Sequence, residues 1–222
     1  MNDLVCLHAA ASSPATWDRI RPGLHALGYR VHCPVLPGHR GAQRLDSYPP
    51  HAFRDAVLED LDRRGVERFA LIGHSLGAFA ATLLAAKQPE RVTHLILEEM
   101  PVPPRDHGDR PPSRKPAAGT LLRTLARLRR DRFDPAMLDE VLTGLREPQP
   151  QWWTELALLS APALILAGGD TSHLDQNRHR LIAETVPDAT LRTVEAGHRI
   201  HSRAPKTWLF VVTEFLSGDR TL

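Results

Sequence analysis

The stretch Phe69-Ala70-Leu71-Ile72-Gly73-His74-Ser75-Leu76-Gly77-Ala78-Phe79-Ala80 decides the fold. It opens with an apolar run of strand length. Gly-x-Ser-x-Gly follows, and then small and apolar residues with helical reach up to Lys87, stopped before Pro89. A strand that becomes a helix within one residue puts Ser75 at the tip of a sharp, strained bend. Neighbouring chain passes so close to such a bend that only glycine-sized residues fit two before and two after the serine. The helix behind it brings free N–H groups and a positive dipole end, which suit a developing oxyanion. Ser75 is therefore the candidate nucleophile. An inert serine in a glycine-lined turn is the plainer alternative, and the strand-before, helix-after context weighs against it.

Outward from this point, short apolar runs alternate with longer helical patterns. The runs 4–7, 29–33, 69–72, 93–97, 163–166 and 190–194 read as strands. Residues 17–27, 51–64, 76–87, 178–185 and 206–216 read as helices between them. Apolar strands separated by helices predict an α/β fold, a mostly parallel sheet of about six strands covered on both faces. Residues 101–160 break the alternation. Pro101 to Pro116 is rich in proline, arginine and aspartate, and 121–132 and 135–145 read as short helices before Trp152-Trp153. We read 101–160 as a helical lid inserted into a core formed by 1–100 and 161–222, because it is too short to hold a comparable core of its own.

The chain has 222 residues and a formal net charge of +2. That balance argues for neither a nucleic-acid nor a membrane partner. No apolar run approaches the ~18 residues of a membrane span. Met1-Asn2-Asp3 carries no basic region of the kind that opens a signal peptide, so a cytoplasmic location is the default expectation. Cys6 and Cys33 both lie in apolar runs and are expected as buried free thiols. Two cysteines make neither a disulfide framework nor a zinc site.

A serine hydroxyl needs a base. Of twelve histidines, His198 stands out in Val194-Glu195-Ala196-Gly197-His198-Arg199-Ile200-His201. It follows the last strand, and all carboxyl ends of a parallel sheet face one way, so it falls at the same edge as Ser75. His201 is expected as a supporting or helix-start residue. His74 lies in the elbow with its side chain turned from the serine. His173, His179, His198 and His201 match no metal-ligand spacing, so no metal and no cofactor are expected.

Together these residues resemble the α/β-hydrolase fold family. Gly73-His74-Ser75-Leu76-Gly77 looks like its nucleophile elbow. Leu7-His8-Ala9-Ala10 with Trp17 looks like its oxyanion-loop segment, and Val35-Leu36-Pro37-Gly38-His39 like its loop after the next strand. Pro89-Glu90-Arg91-Val92 resembles the lead into the strand after the elbow, and Ala196-Gly197-His198 with Pro205 the catalytic-histidine segment. The resemblance implies oxyanion donors at the N–H groups of Leu76 and Ala10. It departs from the family in two places: the usual first hairpin is absent, and Ala9 stands for a customary glycine.

A carboxylate must hold His198 in the right tautomer. Most of the family places it after the strand at 163–166, where Asp170 is available, although the spacing is one residue short and Thr171 falls at the expected position. A minority places it at the end of the preceding strand, where Glu99 sits beside Glu98. Two adjacent glutamates at the end of an apolar segment are costly unless paired. The plainer readings are ion pairs with the lid's arginines for the glutamates and a turn cap for Asp170. Both acids stay open, with Glu99 ahead.

The resulting expectation is a serine hydrolase cleaving a small-molecule ester, thioester or lactone through an acyl-serine, acting as monomer or homodimer. Met100, Val102, Met137, Leu138, Trp152 and Trp153 would line an apolar substrate pocket under the lid, with His8, Ala9 and His74 also expected to bind substrate, unless they only fasten the lid down. The nine arginines and one lysine of 101–150, against seven acids, would attract an anionic substrate or form a solvated face. The alternatives are a lyase or cyclase using the same Ser/His pair for proton transfer, and a binding module without turnover. No Gly-x-Gly-x-x-Gly or phosphate-loop lysine points to nucleotides.

Overall fold

The computed structural model describes residues 2–109, 123–124 and 128–218. Six strands form one sheet: β1 (Asn2–Leu7), β2 (Tyr29–His32), β3 (Phe69–His74), β4 (Val92–Glu98), β5 (Ala163–Ala167) and β6 (Ala189–Thr193). Their order is β2-β1-β3-β4-β5-β6, and every pair is parallel. The expected α/β architecture is the one observed.

The sequence patterns follow from position in the sheet. All residues of β3 and β5 are buried, because helices cover both faces of a central parallel strand. Edge strands β2 and β6 are only half-buried and carry polar residues such as Arg30, His32 and Arg192. Alternate residues feed opposite layers. Val5, Leu7, Leu71, Leu95, Leu97 and Ile165 pack with Phe53, Phe79 and Ile182. Leu4, Cys6, Ile72, Ile96 and Leu164 pack on the other face with Trp17, Leu24 and Trp208.

Helices α1 (Arg21–Ala26) and α2 (Pro50–Arg63) precede β3, and α3 (Leu76–Lys87) follows it. In α3 the alanines at 78, 80, 81 and 85 are all buried, which lets this helix lie close on the sheet. The single helix expected over 17–27 is divided into a 3-10 turn (Pro14–Trp17) and α1. Pro22 explains the break: it lacks an N–H and is accommodated only in the first turn of a helix. Cys33 also departs from expectation. It is half-buried, not buried, because it leaves an edge strand with one open side.

Between β4 and β5 the described chain includes α4 (Pro135–Gly144) and α5 (Pro150–Leu156). Most of the helix expected over 121–132 lies outside the described residues. What is described is fastened to the core. Arg40 N–H donates to Arg132 O at 2.8 Å and Asp134 N–H to Gly38 O at 2.7 Å. Met137 and Leu138 are fully buried. Trp152 Nε1 donates to Thr82 Oγ1 of α3 at 2.9 Å, and Trp153 Nε1 to Pro103 O at 3.1 Å. Arg178 of α6 (Gln176–Thr185) grips Asp109 with both terminal nitrogens, at 2.8 and 2.5 Å. The last helices are α7 (Ile200–Arg203) and α8 (Pro205–Leu216).

The turn from β3 into α3 bears out the steric reading of the glycines. A Cβ on Gly73 would come 2.4 Å from the Ala78 Cα, and one on Gly77 2.2 Å from the Leu7 carbonyl oxygen. Both obstacles are backbone. A Cβ on Gly144, at the end of α4, would meet nothing within 4 Å. We expect Gly77→Ala to destabilise the chain by about 2 kcal/mol or more and Gly144→Ala to be neutral or stabilising by up to ~1 kcal/mol. Urea unfolding of the two variants checks this, and equal midpoints for both would contradict it.

Candidate active site

The carboxyl ends of the strands converge on one edge. The chain leaves β1 for β2 on one side and returns through β3 on the other, which makes the crevice between β1 and β3 a topological switch point. Ala9 and Ala10 stand at the end of β1 and Ser75 at the end of β3. Ser75 has φ +53 and ψ −118, a strained conformation for a residue with a side chain, costing of order 1–3 kcal/mol. Its N–H donates to Glu98 O at 2.9 Å, which ties the bend to β4. The N–H of Leu76 belongs to the first turn of α3, where donors have no partner within the helix.

Glu99 and His198 meet across this edge. His198 Nδ1–H donates to Glu99 Oε2 at 3.2 Å, which leaves Nε2 as the lone-pair nitrogen, the tautomer a base requires. Glu99 is fully buried and sits at φ +47. Its Oε1 accepts from Gly168 N–H at 2.5 Å and from Gln176 Nε2 at 3.2 Å. Its Oε2 also accepts a short hydrogen bond from Ser172 Oγ. Burial alone would raise the Glu99 carboxyl; the His198 hydrogen bond, nearby His179 and the Ser172 hydroxyl outweigh it and bring the group down to about 2. Asp170 is exposed, and its N–H donates to Glu195 Oε2 at 3.1 Å. No hydrogen bond joins Ser75 Oγ to His198 Nε2 among the described residues. Such contacts are often loose until a substrate fills the site.

Glu98 answers the second half of the costly glutamate pair. It is fully buried, and both its oxygens are engaged. His201 donates from its N–H at 3.1 Å and from Nδ1 at 2.8 Å to Oε1, and Trp208 Nε1 donates to Oε2 at 2.8 Å. His201 Nε2 meets Thr16 Oγ1 at 2.7 Å. The two glutamates are thus partnered by histidines, not by arginines of the segment between β4 and β5. His74 Nε2–H donates to His198 O at 2.6 Å, so the elbow's own histidine holds the loop that carries His198.

The residues expected to line a substrate pocket offer little surface. His8 is fully buried; its Nδ1–H donates to Ala9 O at 2.9 Å and its Nε2 accepts from Leu36 N–H at 3.2 Å. It acts as a strut between the two loops, and burial, reinforced by His39, pushes its pKa down to about 3. His74, Met100, Trp152 and Trp153 are likewise buried, as is Ala9. Their neighbours are other protein groups: the His74 ring lies against those of His198 and His201, and Trp152 against Phe79. A small open cleft lies beside Leu76, lined also by Tyr48, Phe53, Phe79, Glu140 and Val141.

Two groups here escaped the sequence reading: Ser172 and Gln176 hold the Glu99 carboxylate. Their only signal was closeness in sequence to the rival acid Asp170. The His173 ring, weighed from the sequence only as a metal ligand, lies 4.3 Å from that of His198, centre to centre. Among the described residues no group of three or more His, Cys, Asp or Glu is disposed to hold a metal, and no helix is long and apolar enough to cross a membrane. Two arginines of the segment between β4 and β5 have internal partners: Arg123 Nε lies 2.8 Å from Asp139 Oδ1, and Arg105 stacks 4.3 Å above the Trp153 ring.

Residues 4–209 match the model of the alpha/beta hydrolase family, and the chain belongs to that family. It is 34% identical over 98 residues to a pyrethroid hydrolase of Sphingobium wenxiniae, a match covering 43% of this chain and 35% of that protein. It is 27% identical over 211 residues to the sn-1-specific diacylglycerol lipase ABHD11 of Mus musculus, covering 77% of this chain and 67% of that one. The crystal structure of a hydrolase from Pseudomonas aeruginosa PA01 superposes with a TM-score of 0.78 at 21% identity, over 97% of this chain and 90% of that one.

Two outcomes follow from this geometry. Removing one partner of the buried Glu98–His201 pair strands the other, so His201→Ala is expected to cost about 3–5 kcal/mol in urea unfolding; a loss below about 1 kcal/mol would show that the pair is not closed to solvent. The pH dependence has a definite sign. His8, His39, His74 and His179 are held below their ordinary 6.5 chiefly by burial. Their stabilisation is complete above pH 6.5 and declines as the unfolded chain takes up protons that the folded one refuses. Glu99 adds a loss between about 4.5 and about 2. The urea midpoint should therefore already fall between pH 7 and pH 5, before carboxylates titrate, and a flat profile there would refute the assignment of neutral buried histidines.

Proposed function

We propose that the chain is a serine hydrolase that cleaves a small ester, thioester or lactone through an acyl-serine intermediate. The observation that carries this reading is the His198 Nδ1–Glu99 Oε2 hydrogen bond at 3.2 Å, set at the same sheet edge as the strained Ser75. Ser75 Oγ attacks the carbonyl carbon, and His198 Nε2 takes its proton and passes it to the leaving group. Glu99, ionised and held by Gly168, Ser172 and Gln176, stabilises the imidazolium as it forms. The oxyanion rests on the N–H groups of Leu76 and Ala10, each such donor being worth about 3 kcal/mol. Water activated by His198 then releases the acid and restores the serine. The apolar cleft beside Leu76 suits a small apolar acyl or alcohol group. The activities that name the pyrethroid hydrolase and the diacylglycerol lipase, both ester cleavages, support the same class.

A fluorophosphonate probe followed by peptide mass spectrometry tests the reading. The adduct is expected on Ser75 and absent from Ser75→Ala and His198→Ala. Hydrolysis of an activated ester should fall by about 10⁴ or more in Ser75→Ala and His198→Ala, and by about 10³–10⁴ in Glu99→Gln. Asp170→Asn should stay within about threefold of the parent. A folded, unlabelled wild-type protein would overturn the acyl-serine mechanism. Equal losses in Asp170→Asn and Glu99→Gln would overturn the choice of acid.

A further inference from the structure

The two thiols lie at the root of the β1 loop. In the parallel register of β1 and β2, Val5 stands opposite His32, the last residue of β2, and Cys6 and Cys33 are the next residues along each chain. Adjacent strands run about 4.8 Å apart, within the roughly 4.4–6.8 Å that a disulfide spans between Cα atoms. Both side chains pack in the same apolar layer as Trp17 and Leu24. Cys6 is fully buried, while Cys33, leaving an edge strand, is half-exposed. Arg21 reaches this pair from α1, with Nη2 3.6 Å from Cys33 Sγ and 3.2 Å from Asp18 Oδ1.

These contacts divide the roles of the two sulfurs. Cys6 and the Arg21 guanidinium lower the Cys33 thiol to about 7, against burial and the Asp18 charge. Burial, and Cys33, push Cys6 up. Of the two, the half-buried Cys33 sulfur is therefore the one that ionises first and the fully buried Cys6 the one that keeps its proton.

We propose that Cys33 and Cys6 form a hydroperoxide-oxidisable dithiol. The Cys33 thiolate attacks a peroxide oxygen; the O–O bond breaks, the sulfur becomes a sulfenic acid, and with one proton the other oxygen leaves as water or alcohol. Cys6 sulfur then attacks Cys33 sulfur, the S–O bond breaks, and the Cys6 proton leaves with the hydroxyl as a second water. Two thiols and one peroxide give one disulfide. The bond would staple β1 to the chain leaving β2, two residues before His8, whose ring already braces this loop against Leu36. The inference does not depend on Ser75 or on any hydrolytic activity.

The test uses the whole wild-type chain and hydrogen peroxide at pH 7, followed by alkylation in denaturant and mass spectrometry. The expected result is an intramolecular loss of two hydrogens, with tryptic peptides 1–19 and 31–40 linked. In Cys6→Ser, dimedone should trap a sulfenic acid on Cys33. In native wild-type protein iodoacetamide should modify Cys33 and spare Cys6, and Arg21→Gln should slow that reaction about fivefold or more at pH 7. Two thiols still free after peroxide would overturn the proposal. So would a native Cys33 no more reactive than in the urea-unfolded chain.

Discussion

The contact on which the rest depends is the one between Gly77 and the end of β1. A Cβ at this position would come 2.2 Å from Leu7 O and 2.7 Å from His8 O. Because no Cβ is present, α3 starts against the β1 loop, and the N–H of Leu76 and the Ala9-Ala10 loop share one crevice. Gly73 does the same from the strand side, letting Ala78 backbone close over it. The small residues of α3 then carry this closeness along the helix, and Trp152 of the lid segment bonds to Thr82 on its outer side. Strain at Ser75, with φ +53, persists because the glycine contacts and the bond from Ser75 N–H to Glu98 O determine the bend from both sides.

That last bond joins the elbow to a second constraint, the paired glutamates at the end of β4. Neighbouring strand residues point to opposite faces. Glu98 goes to the layer of Trp17 and Trp208, where His201 and the Trp208 indole satisfy it. Glu99, turned by its φ of +47, goes to Gly168, Ser172, Gln176 and His198. A buried carboxylate costs several kcal/mol unless charge-assisted hydrogen bonds offset it, and here each has at least three donors. The same donors fix position. His201 and His198 leave the chain three residues apart, so the Glu98–His201 pair anchors the segment from which His198 reaches Glu99.

Much of this was legible in the sequence. Gly73, Ser75 and Gly77 announce the bend because its steric demand is local. His198 could be placed because the direction of a parallel sheet fixes which loops share an edge. The six strands followed from apolar runs. The pattern misleads at Cys33 and at the break before Pro22, both at the sheet's margin, where local chemistry competes with it. The surroundings of the Glu99 carboxylate were not legible. They comprise donors from three separate places, Gly168 N–H, Ser172 Oγ and Gln176 Nε2, which come together only in the folded chain. The substrate wall was opaque for a related reason. Whether Trp152 and Met100 face a cavity or a neighbour depends on how the lid segment packs, and both end up buried.

The crowd of histidines around His198 gives the site its electrostatic logic. His74 and His173 lie with ring centres 4.8 and 4.3 Å from His198, and buried His179 sits near Glu99. A protonated His74 or His179 would repel an imidazolium at His198 and compete for the Glu99 charge. Burial keeps both neutral near pH 7, so they act as dipoles with fixed duties. His74 Nε2–H holds the His198 carbonyl, and His179 Nε2–H holds the Met100 carbonyl at 3.1 Å. Glu99 then directs its charge at His198, the ring it hydrogen-bonds. His198 is less enclosed than His74 and His179, so water reaches the ring that faces Glu99. The buried histidines that make the fold acid-sensitive are in this way the ones that leave the Glu99 carboxylate to His198.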